Sequence, residues 1–287
     1  MLWNNETEIS FFEESLKNFA SPEQLFYNFK DGYFAYVPKG HDAEGQTLQS
    51  RNSLIGAFTE NWCKSLLEPI AKRHKLYAIN GAVCEAIGLT KQSSADLVFS
   101  DTESKYLKPE NIKIIFEVKM SVISNYEYLK KTKEIKHIGD YKQHKGNPSL
   151  LRSDSMLKAI GKSINIRVSG LESSKIPIIV LGNSPITDSY IKKVDFLKSS
   201  GVTQGFWSLN PKPSDSSDFI KASNKKGFIT IFKEDELFEL IKNLLDLGMN
   251  FFSSMLPKSE LGKIIKFASQ EPNDIARAEK FLSLLRS

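Results

Sequence analysis

The chain has 287 residues, of which 40% are apolar and 25% are charged, a composition that excludes the disordered class. Its length allows one large hydrophobic core and a smaller accessory unit. No apolar run approaches the ~18 residues that a membrane-spanning helix needs. The N-terminus MLWNNETEIS also lacks the basic start and apolar stretch of a signal peptide. We therefore expect a cytoplasmic protein that does not enter a membrane.

The positive charge of the chain is concentrated in one segment. The net charge is only +5, which by itself does not indicate nucleic-acid binding. Between Ser121 and Arg152, however, there are seven lysines and arginines but only three acidic residues, so most of the excess positive charge lies in this segment. The two cysteines, Cys63 and Cys84, are too few for a disulfide framework and form no zinc motif with the four histidines.

Apolar periodicity predicts an α/β protein. Residues 1–45 are rich in aromatic side chains and are predicted to form an N-terminal helical extension. A long amphipathic helix is predicted from Ser50 to about Lys75, because apolar residues recur there at helical spacing. Three strand-like runs follow, KLYAIN, ADLVFS and IKIIFEVKMS. The basic segment 122–150 then precedes the next helix.

That next helix and a buried strand complete the order α, β, β, β, α, β. The helix DSMLKAIGKSINI begins at Ser153 or Asp154, with Met156, Leu157, Ile160 and Ile164 as its predicted apolar face. The run KIPIIVLG is predicted to be a buried parallel strand. A helix near 188–199, strands at QGFWSL and GFITIFK, and helices over 234–248 and 258–285 follow. The predicted domains are an extension over 1–45, a core over 46–235 and a C-terminal helical region over 236–287.

The strand IKIIFEVKMS places two charges on one of its faces. Residues two apart in a strand project to the same side, so Ile115, Glu117 and Lys119 share a face. An acid followed two residues later by lysine occurs four times in the chain, but only Glu117 and Lys119 lie within an apolar strand. A simple salt bridge on a solvated face is one explanation of the pair.

A second carboxylate suggests a more specific explanation. Asp96 begins the preceding strand, and an antiparallel hairpin would bring it beside the end of the strand that contains Glu117. Asp96, one oxygen of Glu117 and the main-chain carbonyl of Val118 would offer hard oxygen ligands to Mg²⁺. Lys119 would then orient or help to deprotonate an attacking water and offset charge on a phosphate.

Asp96, Glu117 and Lys119 on consecutive strands, after a long helix and before a helix and a strand, resemble the PD-(D/E)XK nucleases. Type II restriction endonucleases are the most similar members in size and layout. The resemblance covers about Ser50 to Ile186, and Ala95 stands where many members have proline. It implies a restriction-endonuclease-like αβββαβ core, a central mixed sheet flanked by helices, with helical N- and C-terminal additions.

The resemblance also implies a function and a set of site residues. The expected activity is Mg²⁺-dependent cleavage of double-stranded DNA at a specific short sequence, by a homodimer with a cognate DNA methyltransferase in the same system. Asp96, Glu117 and Lys119 would be catalytic. Asp96, Glu117, Val118 and Glu60 on the first core helix would be metal ligands, although Glu60 is also interpretable as a solvent-facing glutamate. The region after the catalytic strand would face DNA, with Lys142, Lys145, Arg152 and Lys158 contacting phosphates.

Two alternative functions remain open at this point. The same site would serve a structure-selective nuclease in repair, recombination or defence. Alternatively, Glu117 and Lys119 form only an ion pair in a non-catalytic DNA-binding or interaction protein. The run AIGKS ends like a phosphate-binding loop, but Met156 stands at the position of its first glycine and the segment has helical periodicity. We therefore expect no ATP-driven motor.

Overall fold

The structure is a computed structural model that describes residues 1–30, 32–41, 48–246, 248 and 256–286. The chain divides into two compact units, Met1–Met249 and Asn250–Ser287. Among the described residues, no helix combines the length and the apolar character needed to cross a membrane.

The first unit contains six helices and all the strands of the described chain. Its helices are α1 (Asn5–Asn18), α2 (Pro22–Leu25), α3 (Gln49–Arg73), α4 (Ser153–Ser169), α5 (Asp188–Ser199) and α6 (Glu234–Asp246). Its strands are β1 (Tyr27–Phe29), β2 (Gly32–Phe34), β3 (Tyr77–Ala82), β4 (Ala95–Ser100), β5 (Ile112–Val118), β6 (Asn125–Leu129), β7 (Glu134–Gly139), β8 (Ile178–Gly182), β9 (Gly205–Ser208) and β10 (Phe228–Thr230). The second unit contains α7 (Lys258–Ala268) and α8 (Asp274–Arg286).

A six-stranded mixed sheet forms the centre of the first unit. Its strand order is β10-β9-β8-β5-β4-β3. Strands β3, β4 and β5 pair antiparallel, whereas β5, β8, β9 and β10 run parallel. The α/β class with a central mixed sheet flanked by helices is therefore confirmed, and the predicted hairpin between β4 and β5 is present.

Apolar side chains cover both faces of this sheet, as the alternating direction of strand residues requires. On one face Leu97 and Phe116 pack in a cluster that also contains residues of α1, α3 and α6. On the other face Val98 and Ile115 pack with Ile166 of α4, and the β8, β9 and β10 residues pack with α4 and α5. Glu117, two residues after Ile115, therefore lies on the strand face that α4 covers.

The N-terminal residues and the basic segment form a second sheet, which the sequence patterns did not reveal. Its four strands have the order β1-β2-β6-β7, all antiparallel. The segment over 1–45, predicted as a helical extension, thus contains the β1–β2 hairpin as well as two helices. Likewise 125–139, predicted to lie in a loop-like basic segment, is a β-hairpin. Short strands such as Tyr27–Phe29 carry too few residues for a clear alternation.

Helix α4 buries part of the predicted face, including Met156 and the partly buried Ile160. Leu157 is 61% exposed and Ile164 is 43% exposed, so the predicted apolar face is wrong at those two positions. The buried positions include Met156, Ala159 and Ile166. The helix runs without interruption through AIGKS, which confirms that this stretch is not a strand-to-helix phosphate loop. The orientation of α4 about its axis directs Lys162 toward the sheet.

Candidate active site

The register of β4 and β5 brings the two predicted catalytic carboxylates together. Leu97 pairs with Phe116, so the next residues outward, Asp96 and Glu117, are neighbours across the two strands. The main-chain N–H of Val118 donates to Oδ2 of Asp96 at 2.7 Å. This bond fixes the Asp96 carboxylate against the end of β5.

Lys119 follows the last residue of β5 and points back into this cluster. Its Nζ lies 2.5 Å from Oε1 of Glu117, 3.0 Å from the carbonyl oxygen of Val118 and 3.5 Å from Oδ2 of Asp96. The three predicted catalytic residues and the Val118 carbonyl are therefore in one place. Only 4% of Glu117 is exposed, so its charge depends on partners within the protein.

A second lysine, which the sequence interpretation missed, completes the cluster. Lys162 on α4 donates to Oδ1 of Asp96 at 3.0 Å and lies 2.5 Å from Oε2 of Glu117. The two lysines thus bind opposite oxygens of the same two carboxylates. The buried site contains two negative and two positive side chains, an arrangement in which each charge compensates the cost of burying the others.

Burial and charge act in opposite directions on the two carboxyl groups. Burial alone would raise the pKa of Asp96, but the charges of Lys119 and Lys162 and the bond from Val118 outweigh it, and the pKa is lowered. Burial and the nearby Asp96 charge raise the pKa of Glu117 despite both lysines. Burial would lower the pKa of Lys162, but Glu117 and Asp96 raise it. Charge is therefore distributed unequally between the two acids.

Side chains from neighbouring loops hold the segment that follows β5. The Ser149 hydroxyl donates to the carbonyl oxygen of Lys119 at 2.6 Å and accepts from the N–H of Asn183 at 3.1 Å. The Asn183 amide bonds both the N–H and the carbonyl of Ser121. Ser149 adopts a positive φ of 52°, a conformation that costs free energy for a residue other than glycine. The backbone beside Lys119 is thus held by buried polar contacts.

Glu60, the predicted ligand on α3, is half-buried and lies within electrostatic reach of both carboxylates. In the part of the chain that the structure describes, no three His, Cys, Asp or Glu side chains come together as a metal-binding group. Burial raises the pKa of the half-buried Glu60, and the charge of Asp96 adds to this effect. The charges of the site therefore affect the pKa of Glu60. The oxygen atoms that converge on Lys119 Nζ are those of Asp96, Glu117 and the Val118 carbonyl.

Two clefts open beside the cluster, and two of the predicted phosphate-binding residues line them. A groove of about 590 Å³ is lined by Asp96, Glu117, Lys119, Lys158 and Lys162 among others. A second cleft of about 650 Å³ shares Lys119 and Lys158 with the groove and also contains Arg152. Both Arg152 and Lys158 are exposed and pair with Asp154. They are positioned at the entrance to the site.

Lys142 and Lys145 are engaged elsewhere. The Nζ of Lys142 donates to the Ser216 hydroxyl and to the Asp218 carbonyl, at 3.1 and 2.5 Å. The Nζ of Lys145 donates to the carbonyl of His41 at 2.7 Å. These contacts join the basic segment to other loops. Among the four predicted phosphate contacts, Lys158 lines the groove that contains the carboxylates and Arg152 lines the cleft that contains Lys119.

Comparison of the chain with protein-family models, with curated proteins and with solved structures gave no match.

Proposed function

We propose that the protein is a Mg²⁺-dependent endodeoxyribonuclease of the type II restriction kind, which hydrolyses phosphodiester bonds in double-stranded DNA at a specific short sequence. One observation carries this proposal. Oδ2 of Asp96, Oε1 of Glu117 and the carbonyl oxygen of Val118 all lie within 3.5 Å of a single cationic atom, the Nζ of Lys119. A point where hard oxygens already surround a positive charge suits a divalent cation.

The order of elements supports a restriction-endonuclease-like core. Helix α3, the antiparallel strands β3, β4 and β5, helix α4 and the parallel strand β8 have the αβββαβ order, with β6 and β7 of the second sheet inserted between β5 and α4. The acids and lysine of the resemblance lie at the ends of the second and third of these strands. This agreement between topology and site position is support at the level of the fold.

The donor set fits Mg²⁺, which prefers oxygen ligands and is commonly held by one or two carboxylates together with water. Asp96, Glu117 and the carbonyl of Val118 would hold the ion. When bound, Mg²⁺ polarises a phosphate oxygen and lowers the pKa of bound water. Lys119 orients the attacking water and offsets the negative charge that builds on the phosphate.

The entrance to the site supplies contacts for the DNA backbone. Arg152 and Lys158 lie on the α4 side of the clefts, where cations bind phosphates and set the register of the strand. Cleavage of both strands at a palindromic target requires two-fold symmetry, so the active form is a homodimer. A cognate DNA methyltransferase would protect the host sequence.

A second candidate function follows from the charge balance of the site. Two carboxylates and two lysines satisfy one another through contacts of 2.5 to 3.5 Å. Such a network is complete without a metal and would also serve a non-catalytic DNA-binding or interaction protein. In that case Asp96→Ala would change only stability.

The test is incubation of the purified protein with supercoiled plasmid and bacteriophage DNA, in Mg²⁺ or in EDTA. We expect discrete fragments in Mg²⁺ that disappear in Asp96→Ala and Lys119→Ala. Lys72→Ala is the control, because Lys72 is an exposed α3 lysine that pairs with Glu68. This variant should cleave DNA like the wild type. A Mg²⁺-dependent smear would favour a structure-selective nuclease, and intact DNA would favour the ion-pair function.

A further inference from the structure

We infer that Lys162 is a positioning residue that turns the Asp96 and Glu117 carboxylates toward the cation site, and that it acts in the opposite sense to Lys119 on divalent-cation affinity. This inference rests on the proposed function. Lys119 and Lys162 contact the same two acids, but through different oxygens. That difference in contacts is the basis of the argument.

The oxygens of the two acids divide into an inner and an outer pair. The inner pair, Oδ2 of Asp96 and Oε1 of Glu117, shares Lys119 Nζ with the Val118 carbonyl. The outer pair, Oδ1 of Asp96 and Oε2 of Glu117, shares Lys162 Nζ. Lys119 therefore occupies the place where the proposed ion would bind, whereas Lys162 binds the oxygens that face away from it.

The fold fixes the backbone of both lysines, so the oxygens that each lysine contacts distinguish their roles. Lys162 lies on α4 between Ala159 and Ile166, both of which are buried against the sheet. The helix cannot rotate Lys162 away without breaking these contacts. The N–H of Lys119 donates to the carbonyl oxygen of Leu181 on β8, and its carbonyl accepts from the Ser149 hydroxyl. An ion entering the site would displace Lys119 from the inner oxygens while Lys162 keeps the outer ones.

Loss of each lysine therefore has a different physical effect. Without Lys119, a competing cation leaves the inner oxygens, so divalent-cation binding is retained or strengthened. Without Lys162, both carboxylates lose the partner that fixes their rotation, and two close negative groups repel each other. Residues that orient metal ligands typically change metal affinity or activity by about 10–100-fold when they are mutated. We expect an effect at the lower end of that range.

The experiment measures Mn²⁺ binding to the full chain without DNA, by electron paramagnetic resonance of the free ion. We expect Lys162→Met to weaken Mn²⁺ binding by about tenfold, and Lys162→Arg to recover part of the loss. Lys119→Met should bind Mn²⁺ at least as tightly as the wild type. Lys72→Met removes the same charge from an exposed α3 lysine that pairs with Glu68 and contacts neither Asp96 nor Glu117, so it controls for a general charge effect. Thermal melting of each variant shows that it is folded.

The outcomes distinguish this inference from the proposed function. If the wild type binds Mn²⁺ but cleaves no DNA, the proposed function fails, and the affinities still decide the role of Lys162. If Lys162→Met binds Mn²⁺ as tightly as or more tightly than the wild type, Lys162 is a competing cation and the inference is overturned. Absence of Mn²⁺ binding by the wild type would also overturn it. Weaker Mn²⁺ binding by Lys162→Met, together with partial recovery of Mn²⁺ affinity in Lys162→Arg, supports the inference.

Discussion

The Nζ of Lys162, on helix α4, lies 2.5 Å from Oε2 of Glu117, on strand β5. This contact joins the face of the helix that packs on the sheet to the glutamate within the apolar strand β5. It places a positive charge beside the carboxylate of Glu117, a residue that is only 4% exposed. The ion cluster is thus part of the packing between α4 and the sheet as well as a candidate chemical site.

Removal of Glu117 should therefore destabilise the fold. Glu117→Ala removes one of the two carboxylates that Lys119 and Lys162 contact in a largely buried site. Breaking a fully buried pair costs about 3–5 kcal/mol, and we expect about 2 kcal/mol here because the lysines keep some access to solvent. The free energy of unfolding from urea titration measures this change. A change below about 0.5 kcal/mol, the usual range for a surface substitution, would show that the cluster adds nothing to stability.

Arg152 and Lys158 should set the salt dependence of DNA binding. Each phosphate contact that is lost reduces the slope of log affinity against log salt concentration by about 1. We expect Lys158→Ala to weaken DNA binding uniformly across sequences and to lower this slope. Fluorescence anisotropy with duplex DNA in EDTA, at several salt concentrations, gives both quantities.

Lys72 provides a matched control for that experiment. Lys158 is 70% exposed and pairs with the residue four positions earlier, and Lys72 is 71% exposed with the same kind of pair. Lys72→Ala should leave the slope unchanged because Lys72 lines neither cleft. Equal slopes for Lys158→Ala and the wild type would remove Lys158 from the DNA interface.

Ser149 should stabilise the segment that follows β5 through its hydroxyl. Ser149→Ala removes the bonds to the Lys119 carbonyl and the Asn183 N–H but keeps a positive φ, so we expect a loss of about 1–3 kcal/mol. Ser149→Gly loses the same bonds but adopts positive φ without strain. The glycine variant should therefore be more stable than the alanine variant in urea unfolding. The reverse order would show that the backbone conformation at Ser149 is not strained.

Glu8 should make stability depend on pH. Its buried carboxylate accepts from the indole of Trp3 and from the N–H groups of Ile123 and Ser124. Burial nevertheless raises the pKa of Glu8 from 4.5 to about 7. The folded state then holds a proton that the unfolded chain has released, so the free energy of unfolding falls as pH rises from about 4.5 to 7, by roughly 3 kcal/mol.

The variant Glu8→Gln isolates this contribution, because glutamine resembles the protonated carboxyl and does not titrate. We expect the pH dependence between about 4.5 and 7 to be flatter in Glu8→Gln than in the wild type, measured by urea unfolding at several pH values. Parallel curves would show that Glu8 is ionised in the folded protein throughout this range. Because Glu8 bonds the loop after β5, the same variant also reports on how α1 supports that loop.

Local patterns in the sequence were sufficient to predict most of the central sheet. The runs ADLVFS and IKIIFEVKMS form β4 and β5, and their antiparallel pairing brings Asp96 to Glu117 as predicted. The convergence of Asp96, Glu117 and Lys119 was predictable because strand alternation fixes which side chains share a face. The parallel strand at Ile178–Gly182 was predictable from its continuous apolar run.

Lys162 was missed because the predicted buried face of α4 was wrong at two of its four positions. The pattern of Leu157 and Ile164 suggested an apolar face that is in fact partly exposed, whereas small residues such as Ala159 and Ser163 are buried. A helix that packs closely on a sheet buries small side chains, which give little hydrophobic signal. The contacts of Ser149 and Asn183 were also hidden, since they join loops far apart in sequence.

The most direct test of the central claim is sequencing of the DNA ends produced from a bacteriophage genome by the wild-type protein in Mg²⁺. The account predicts that the ends map to one short sequence motif, and that Asp96→Ala and Lys119→Ala produce none of them. Ends scattered without a shared motif, or DNA that stays intact in Mg²⁺, would contradict a sequence-specific endonuclease at this site.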